Sequence, residues 1–172
     1  VMKSSFKERR QAKLDRLEQT RLQRECSSYK GRPVPKQVAE RIEKEALADV
    51  KYPADGKFLG DWKKGEKIAQ SGRGFQYNDK PGSEAGGNCY ACHQLASHEV
   101  SFGNIGPSLH NYGKLRGYSP EVVRYTWARI WNPHSFKACN QMPRFGAAGI
   151  LTEEQIRHVM ALLLDPESPV NK

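Results

Sequence analysis

The segment Gly87–Gln94, which reads GNCYACHQ, constrains the fold of this chain more than any other part of its sequence. It places Cys89, Cys92 and His93 within five consecutive positions. A Cys-x-x-Cys pair occurs in proteins as half of a zinc site, as a redox dithiol, or as the covalent attachment point of a c-type haem. Under each of these chemistries, the surrounding chain has to fold around this segment.

The histidine that directly follows the second cysteine favours haem attachment. In that interpretation the thiols of Cys89 and Cys92 become thioethers on the porphyrin edge, and His93 meets the iron from one face. A redox dithiol would need a thioredoxin-like βαβ context, and the sequence has no strand runs of that kind. A zinc site would need two more ligands, usually a second pair at short spacing. The remaining candidates, none of them paired that way, are His110, His134 and Cys139.

The second face of the iron also needs a ligand, and the ligand type decides the chemistry. Met142 lies in the loop sequence QMPRFG, where Pro143 restricts the preceding residue to an extended backbone. We therefore predict Met142 as the second axial ligand. Met160 lies on the apolar stripe of the last predicted helix and is interpreted as core. The rival ligands are His98, His110 and His134.

The sequence GNIGPSL follows the attachment motif and contains Pro107. A backbone carbonyl at this point could accept the proton of the free His93 ring nitrogen and fix the ring. A Gly-Pro turn is common in loops, so by itself it is only weak support for this arrangement.

Two cysteines, Cys26 and Cys139, lie outside the motif. Covalent haem attachment implies export to the bacterial periplasm, an oxidising compartment, where an even number of remaining cysteines favours a disulfide. The sequence therefore predicts a Cys26–Cys139 bridge. Two buried free thiols are the alternative.

The 172-residue chain carries a net charge of +9, and most of that charge lies in its first third. Residues 1–51 hold 14 Lys and Arg against 8 Asp and Glu, a net of +6. Such an excess suits an acidic partner protein, anionic lipid or nucleic acid, or it marks a solvated helix face. Interspersed acids and the lack of interleaved aromatic residues make nucleic acid the least favoured of these.

No apolar run approaches the roughly 20 residues of a membrane span, so a soluble protein is expected. The first residue is Val, and no secretory signal is visible, as in a processed mature chain, and a shortened chain would look the same. Apolar periodicity, capping residues and helix breakers predict an all-α fold. The predicted helices cover residues 4–25, 35–50, 59–71, 119–131 and 152–165. Ser119, with Pro120 in the first turn, and Thr152 are the expected caps of the last two helices, and residues 93–117 are expected to be irregular. We divide the chain into a helical arm, residues 1–55, which is expected to dock a partner protein or to pack on the rest of the chain, and a second domain, residues 56–172.

The order of motifs over residues 59–166 resembles a class I cytochrome c domain. The motifs are CYACH, then IGPSLHNYG, then MPRFG, then a terminal amphipathic helix. Four segments are similar to the SoxX family, the monohaem cytochrome subunits of SoxAX complexes in bacterial thiosulfate oxidation. These segments are GGNCYACH, GNIGPSL, RIWNP and CNQMPRFG. The resemblance implies a class I cytochrome c fold with an N-terminal helical extension.

The resemblance also implies a place in a larger assembly. The expected partner is SoxA, itself a c-type cytochrome, in a periplasmic heterodimer that couples thiosulfate oxidatively to a carrier cysteine on SoxYZ. That activity is an L-cysteine S-thiosulfotransferase, and its chemistry would occur at the SoxA haem. The haem here would bind through Cys89, Cys92, His93 and Met142, accept electrons from SoxA and pass them to a downstream cytochrome. No catalytic residue is predicted in this chain.

Two other functions fit the same motifs. A free, diffusible electron carrier would have an identical haem site, although it would gain little from a long basic arm. A haem sensor or peroxidase-like enzyme would need a labile or absent Met142 bond. A filled iron has no place for substrate, so electron transfer is the leading prediction.

Overall fold

In a computed structural model, which describes residues 2–172, the chain is all-α with no β-strand among the described residues. The helices are α1 Met2–Ser5, α2 Arg21–Ser28, α3 Lys36–Ala48, α4 Trp62–Gln70, α5 Tyr112–Arg116, α6 Pro120–Trp131 and α7 Glu153–Leu164. Short 3₁₀ turns occur at Leu14–Leu17, Cys89–Ala91, Pro133–Ser135 and Pro169–Asn171. None of the described helices is long and apolar enough to cross a membrane.

Helix α7 lies at the centre of the core. Its predicted apolar stripe is confirmed as buried, and Met160 is fully buried, as expected for a core residue. The helix begins at a capping box in which Thr152 accepts from the Gln155 backbone N–H, while the Gln155 side chain accepts from the Thr152 N–H. This reciprocal pairing satisfies two N–H groups that a helix start leaves open. The sequence signal therefore predicted the start of α7 correctly.

Helix α6 supplies the aromatic part of the core. Ser119 caps it and Pro120 occupies its first turn, as predicted. Trp127 is fully buried, stacks on Trp131 with ring centroids 6.3 Å apart, and donates its indole N–H to the Lys51 carbonyl at 2.8 Å. That bond ties the segment after α3 to the core. The burial of a large aromatic side chain is a major source of folding free energy.

Helices α4 and α7 form the most extensive helix pair, and Gly65 explains how closely they approach. A Cβ at Gly65 would lie 2.1 Å from the His158 backbone oxygen and 3.0 Å from Leu162 Cβ. The unfavourable helix propensity of glycine is thus offset by close packing.

We expect Gly65→Ala to lower the free energy of unfolding by about 2 kcal/mol, because the added methyl group overpacks a backbone contact. Denaturant unfolding measures the change. Lys64→Ala, at the exposed neighbouring position, serves as the control and should stay within about 0.5 kcal/mol of the parent. If Gly65→Ala is as stable as its control, then α4 and α7 can move apart without a loss of folding stability.

The single helix predicted over residues 4–25 is wrong. The chain forms α1, then a tight turn with paired backbone bonds between Arg9 and Ala12, then a 3₁₀ turn, and α2 begins only at Arg21. Arg10 has a left-handed φ of 51°, which a continuous helix does not allow. A capping box of Thr20 and Gln23 starts α2. The thin apolar stripe left the helix unsupported by packing, and local turn chemistry decided the structure.

The short helix α5 lies in a stretch that the sequence predicted as irregular. It is entered through Asn111 at a φ of 58° and ended by Gly117 at a φ of 76°. Five residues are too few to show helical periodicity in the sequence. The other predicted helices occur within a few residues of their expected ends.

The N-terminal arm packs on the rest of the chain along much of its length. Ile42 and Ala46 of α3 are buried, and α3 packs on the Pro133–Ser135 turn. Nearer the N-terminus, Arg16 donates to the Phe75 carbonyl and Gln11 to the Gln76 carbonyl, both at 2.6 Å. The arm is therefore ordered by contacts within this chain. The domain boundary at residue 55 stays a prediction.

Candidate functional site

The Cys89–His93 motif forms one tight turn anchored to the end of α4. Asn88 enters it at a φ of 46°, and its backbone N–H donates to the Ser71 carbonyl at 2.9 Å. Within the turn, the N–H groups of Cys92 and His93 both donate to the Cys89 carbonyl, at 3.1 and 2.9 Å. The geometry holds the two predicted attachment cysteines and the predicted ligand His93 together on one hydrogen-bonded backbone turn. Both cysteines are free thiols.

The environment of Cys89 disfavours thiolate chemistry. Burial raises the pKa of the Cys89 thiol to about 12, because a charged sulfur would lose its hydration. Zinc ligation and dithiol exchange both use the thiolate. Moreover, no group of three or more His, Cys, Asp or Glu side chains suited to a metal ion occurs within residues 2–172. The raised pKa weighs against a reactive dithiol at this motif.

The loop at Gly106 and Pro107 holds the His93 ring. The His93 Nδ1 atom lies 2.7 Å from the Pro107 carbonyl oxygen, which confirms the expected backbone partner. The Gly106 N–H donates to the Cys92 carbonyl at 2.8 Å, so the loop is bonded to the motif itself. A Cβ at Gly106 would lie 2.1 Å from His93 Cε1, within the ring's own space. With Nδ1 bonded to a carbonyl, Nε2 is the ring nitrogen left for a metal.

Met142 lies half-buried on the segment between α6 and α7 and packs against the same hydrophobic core as Cys89. Its backbone N–H donates to Asn140 Oδ1 at 2.8 Å. Its side chain also borders a cleft of about 440 Å³ between α2 and this segment, and His134 lines the same cleft. The structure therefore places the predicted second ligand on the same core as the attachment motif, on a segment held by side-chain contacts.

Cys26 and Cys139 form a disulfide, with their Cα atoms 5.5 Å apart. The bridge joins α2 to the segment that carries Met142. Cys139 has a left-handed φ of 55°, which is uncommon for a residue with a side chain. The bridge and the neighbouring hydrogen bonds hold this conformation.

His134, a rival ligand in the sequence analysis, is buried and has a different role. Its Nδ1 accepts the Asn140 backbone N–H at 3.2 Å. Burial lowers the pKa of His134, and the charges of Arg144 and Arg129 lower it further. Both effects favour the neutral ring, whose Nδ1 can accept a hydrogen bond. Of the other rivals, His98 is largely exposed beside Glu66, while His110 is half-buried at the start of the Asn111 turn.

The residues around the motif fit a haem. A haem is a large apolar plate with two carboxylates, so it needs an apolar lining and polar groups at one edge. Partly buried apolar side chains pack against the hydrophobic core that Cys89 and Met142 also contact: Leu109, Tyr112, Val122, Val123 and Ile150. The buried Trp131 Nε1–H has no acceptor among residues 2–172. Such an orphan donor is costly unless a bound group accepts its proton.

Trp131 lies next to the Met142 segment. Its ring would be 2.3 Å from a Cβ added at Gly146, and its carbonyl accepts from the N–H groups of Gly146 and Ala147 at 3.2 and 3.0 Å. A carboxylate beside Trp131 would accept a hydrogen bond from its unpaired indole N–H. When bound, a haem supplies a metal that changes its oxidation state by one electron.

Three site residues were not identified from the sequence, namely Gly106, Trp131 and Asn140, and His134 was considered only as a possible ligand. Gly106 directly precedes Pro107, and a glycine in that position is a signal of close backbone approach. Trp131 lay in a predicted helix with no sign of an open donor. The hydrogen bond between His134 and Asn140 depends on how the chain turns after α6, and no local sequence pattern predicts that turn.

No protein-family model matches this chain. The chain is 45% identical over 157 residues to an uncharacterized lipoprotein of Aquifex aeolicus (strain VF5). The alignment covers 90% of this chain and 73% of the relative.

Proposed function

We propose that this chain, which belongs to the same family as the Aquifex aeolicus lipoprotein, is a c-type cytochrome with one haem attached through Cys89 and Cys92. The observation that carries the proposal is the attachment turn with its fixed histidine. His93 directly follows the second free thiol. Its Nδ1 is bonded to the Pro107 carbonyl and its ring packs against Gly106, so Nε2 is available to bind the iron. In this proposal the chain has a class I cytochrome c fold with an N-terminal helical extension.

His93 and Met142 would hold the iron from its two faces. His93 donates its Nδ1 proton to the Pro107 carbonyl, which fixes the ring and raises the basicity of Nε2. Ligation by His and Met raises the reduction potential and leaves no open position for substrate. The residues of the site thus orient and tune the haem, and its function is electron transfer.

The cell envelope is the proposed location, and within it the periplasm. The relative is described as a lipoprotein, which supports an envelope-associated family. The disulfide between Cys26 and Cys139 supports an oxidising compartment. Covalent haem attachment fits the same compartment.

We further propose that the chain is the SoxX-type subunit of a SoxAX complex. The partner is a SoxA-type c-type cytochrome, which passes electrons to this haem as thiosulfate is coupled to a cysteine of the SoxYZ carrier. A downstream cytochrome then accepts the electrons. The similarity of GGNCYACH, GNIGPSL and CNQMPRFG to SoxX supports this role.

A free, diffusible electron carrier is the second candidate, and one observation favours it. The arm is ordered by this chain's own contacts, including Arg9 over the Tyr77 ring at 5.5 Å and Arg16 over the Phe75 ring at 5.9 Å. An arm that packs on its own domain does not require a partner to become ordered.

Replacing Met142 tests the axial ligand. In the oxidised holoprotein, Met142→Ala should abolish the weak long-wavelength absorption band of an Fe(III)–thioether bond, because the sulfur is removed. Met160→Leu is the matched control, since Met160 is fully buried in the core and the substitution conserves volume. It should keep the band. A band that survives Met142→Ala would show that another residue binds the iron.

Shortening the arm tests the partner. Removing residues 1–19 keeps the α2 capping box and the disulfide, so haem spectra should be unchanged. Affinity for a co-purified SoxA-type cytochrome should fall, and the association rate of the full chain should decrease with ionic strength, because its basic charges are screened. Equal affinity of the shortened and full chains would show that the arm serves another purpose. The absence of any co-purifying cytochrome would favour the free carrier.

A further inference from the structure

The segment that carries Met142 is held at three successive residues. The Ala138 backbone N–H donates to Glu43 Oε1 of α3 at 3.0 Å. Cys139 is bridged to Cys26 of α2. The Asn140 backbone N–H then donates to His134 Nδ1 at 3.2 Å, after the chain has turned back toward the end of α6.

Asn140 extends this chain of contacts to Met142. Its side-chain oxygen accepts the Met142 backbone N–H at 2.8 Å, in the local pattern by which an Asn side chain fixes the backbone two residues further on. Pro143 restricts Met142 from the other side. His134 therefore fixes the backbone of Asn140, and Asn140 fixes the backbone of Met142.

His134 is itself well anchored. It is 7% exposed and lies in the Pro133–Ser135 turn, which packs against α3 and α6. Its backbone N–H donates to Asn132 Oδ1 at 3.3 Å. Arg129 of α6 donates to the neighbouring Pro133 carbonyl at 2.9 Å. A ring held on a buried turn can serve as a fixed reference point for a loop.

We propose that His134 and Asn140 are positioning residues that set the place of the Met142 thioether through two consecutive hydrogen bonds. The inference rests on the proposed function, in which Met142 binds the haem iron. Neither residue would contact the iron. Both determine how often the sulfur is within bonding reach of it.

The disulfide has a separate effect. It fixes Cys139 to α2 but leaves the backbone dihedral angles of Asn140 and Gln141 free to vary. The two hydrogen bonds restrain these residues. We therefore expect the disulfide to determine stability against unfolding and the His134–Asn140 pair to determine iron–sulfur bonding.

The test uses the oxidised holoprotein with covalently attached haem. His134→Leu removes the acceptor for the Asn140 N–H, and Asn140→Ala removes the acceptor for the Met142 N–H. Each should remove most of the Fe(III)–thioether band at neutral pH and lower the reduction potential. His134→Asn should restore much of the band, because its Oδ1 is the same number of bonds from Cβ as Nδ1 of histidine. Gln141→Ala, at the exposed position between Asn140 and Met142, should leave the band intact.

The outcomes separate the two proposals. A parent protein without the band would overturn both the assignment of Met142 and this inference. A parent with the band, together with Asn140→Ala and His134→Leu variants that keep it fully, would overturn this inference alone. If His134→Leu yields no folded holoprotein, the half-buried loop substitution Asn140→Ala decides the question, because it removes no core contact.

Discussion

In the proposed cytochrome, Gly106→Ala should displace His93 from the iron in most molecules while the haem stays covalently attached. The added Cβ would lie 2.1 Å from Cε1, 2.4 Å from Nδ1 and 2.7 Å from Nε2 of the His93 ring. The ring has to move, and the 2.7 Å contact between Nδ1 and the Pro107 oxygen is lost with it. Absorption spectra of the oxidised protein should change from low-spin to high-spin, because a strong axial ligand is absent.

Gly72→Ala is the control for this prediction. The three atoms nearest to its added methyl group all belong to the Asn88 side chain, with Nδ2 at 3.2 Å, near the start of the same turn. The control should keep a low-spin spectrum. A Gly106→Ala protein that is also low-spin would mean that the ring and the loop can separate without breaking the bond to iron.

Removing the disulfide should give the largest loss of stability. The bridged cysteines are 113 residues apart, and in the chain-entropy model a loop of this length stabilises the folded state by about 4 to 5 kcal/mol. Urea unfolding of a Cys26→Ser, Cys139→Ser double variant measures the difference. Lys137→Ala, an exposed change on the same segment, should be close to neutral.

The native chemistry of these cysteines gives an independent check. An unreduced digest should contain a linked pair of peptides with Cys26 and Cys139. Two thiols that react with an alkylating reagent in the native, unreduced holoprotein would contradict the bridge. A double variant as stable as its control would show that the arm is held by its other contacts, such as the bond from Ala138 to Glu43.

Sequence reasoning succeeded where a short motif or a residue type carries the signal. The starts of α6 and α7 follow from Ser119 and Thr152, whose side chains bond backbone N–H groups three residues away. The core position of Met160 follows from its place on an apolar stripe. The position of Pro107 in the loop that follows the motif predicts that a backbone carbonyl there accepts the His93 ring proton.

The parts that could not be predicted depend on contacts between distant residues. The interrupted arm is decided by turn chemistry around Arg10 and by packing on residues 75 and 76. The role of Gly65 depends on His158 of another helix. The contacts of Asn140 with His134 and of Ala138 with Glu43 arise only after the chain has folded.

The most direct test of the proposed function is the intact mass of the protein after denaturation, purified from a periplasm that attaches haem to Cys-x-x-Cys-His motifs. A covalent thioether survives denaturation, whereas a haem held only by axial ligands is released. We predict the polypeptide mass plus one haem, and the polypeptide mass alone for a Cys89→Ser, Cys92→Ser variant. A parent protein that is produced folded in that compartment, with two free thiols at Cys89 and Cys92 and no added mass, would contradict a c-type cytochrome.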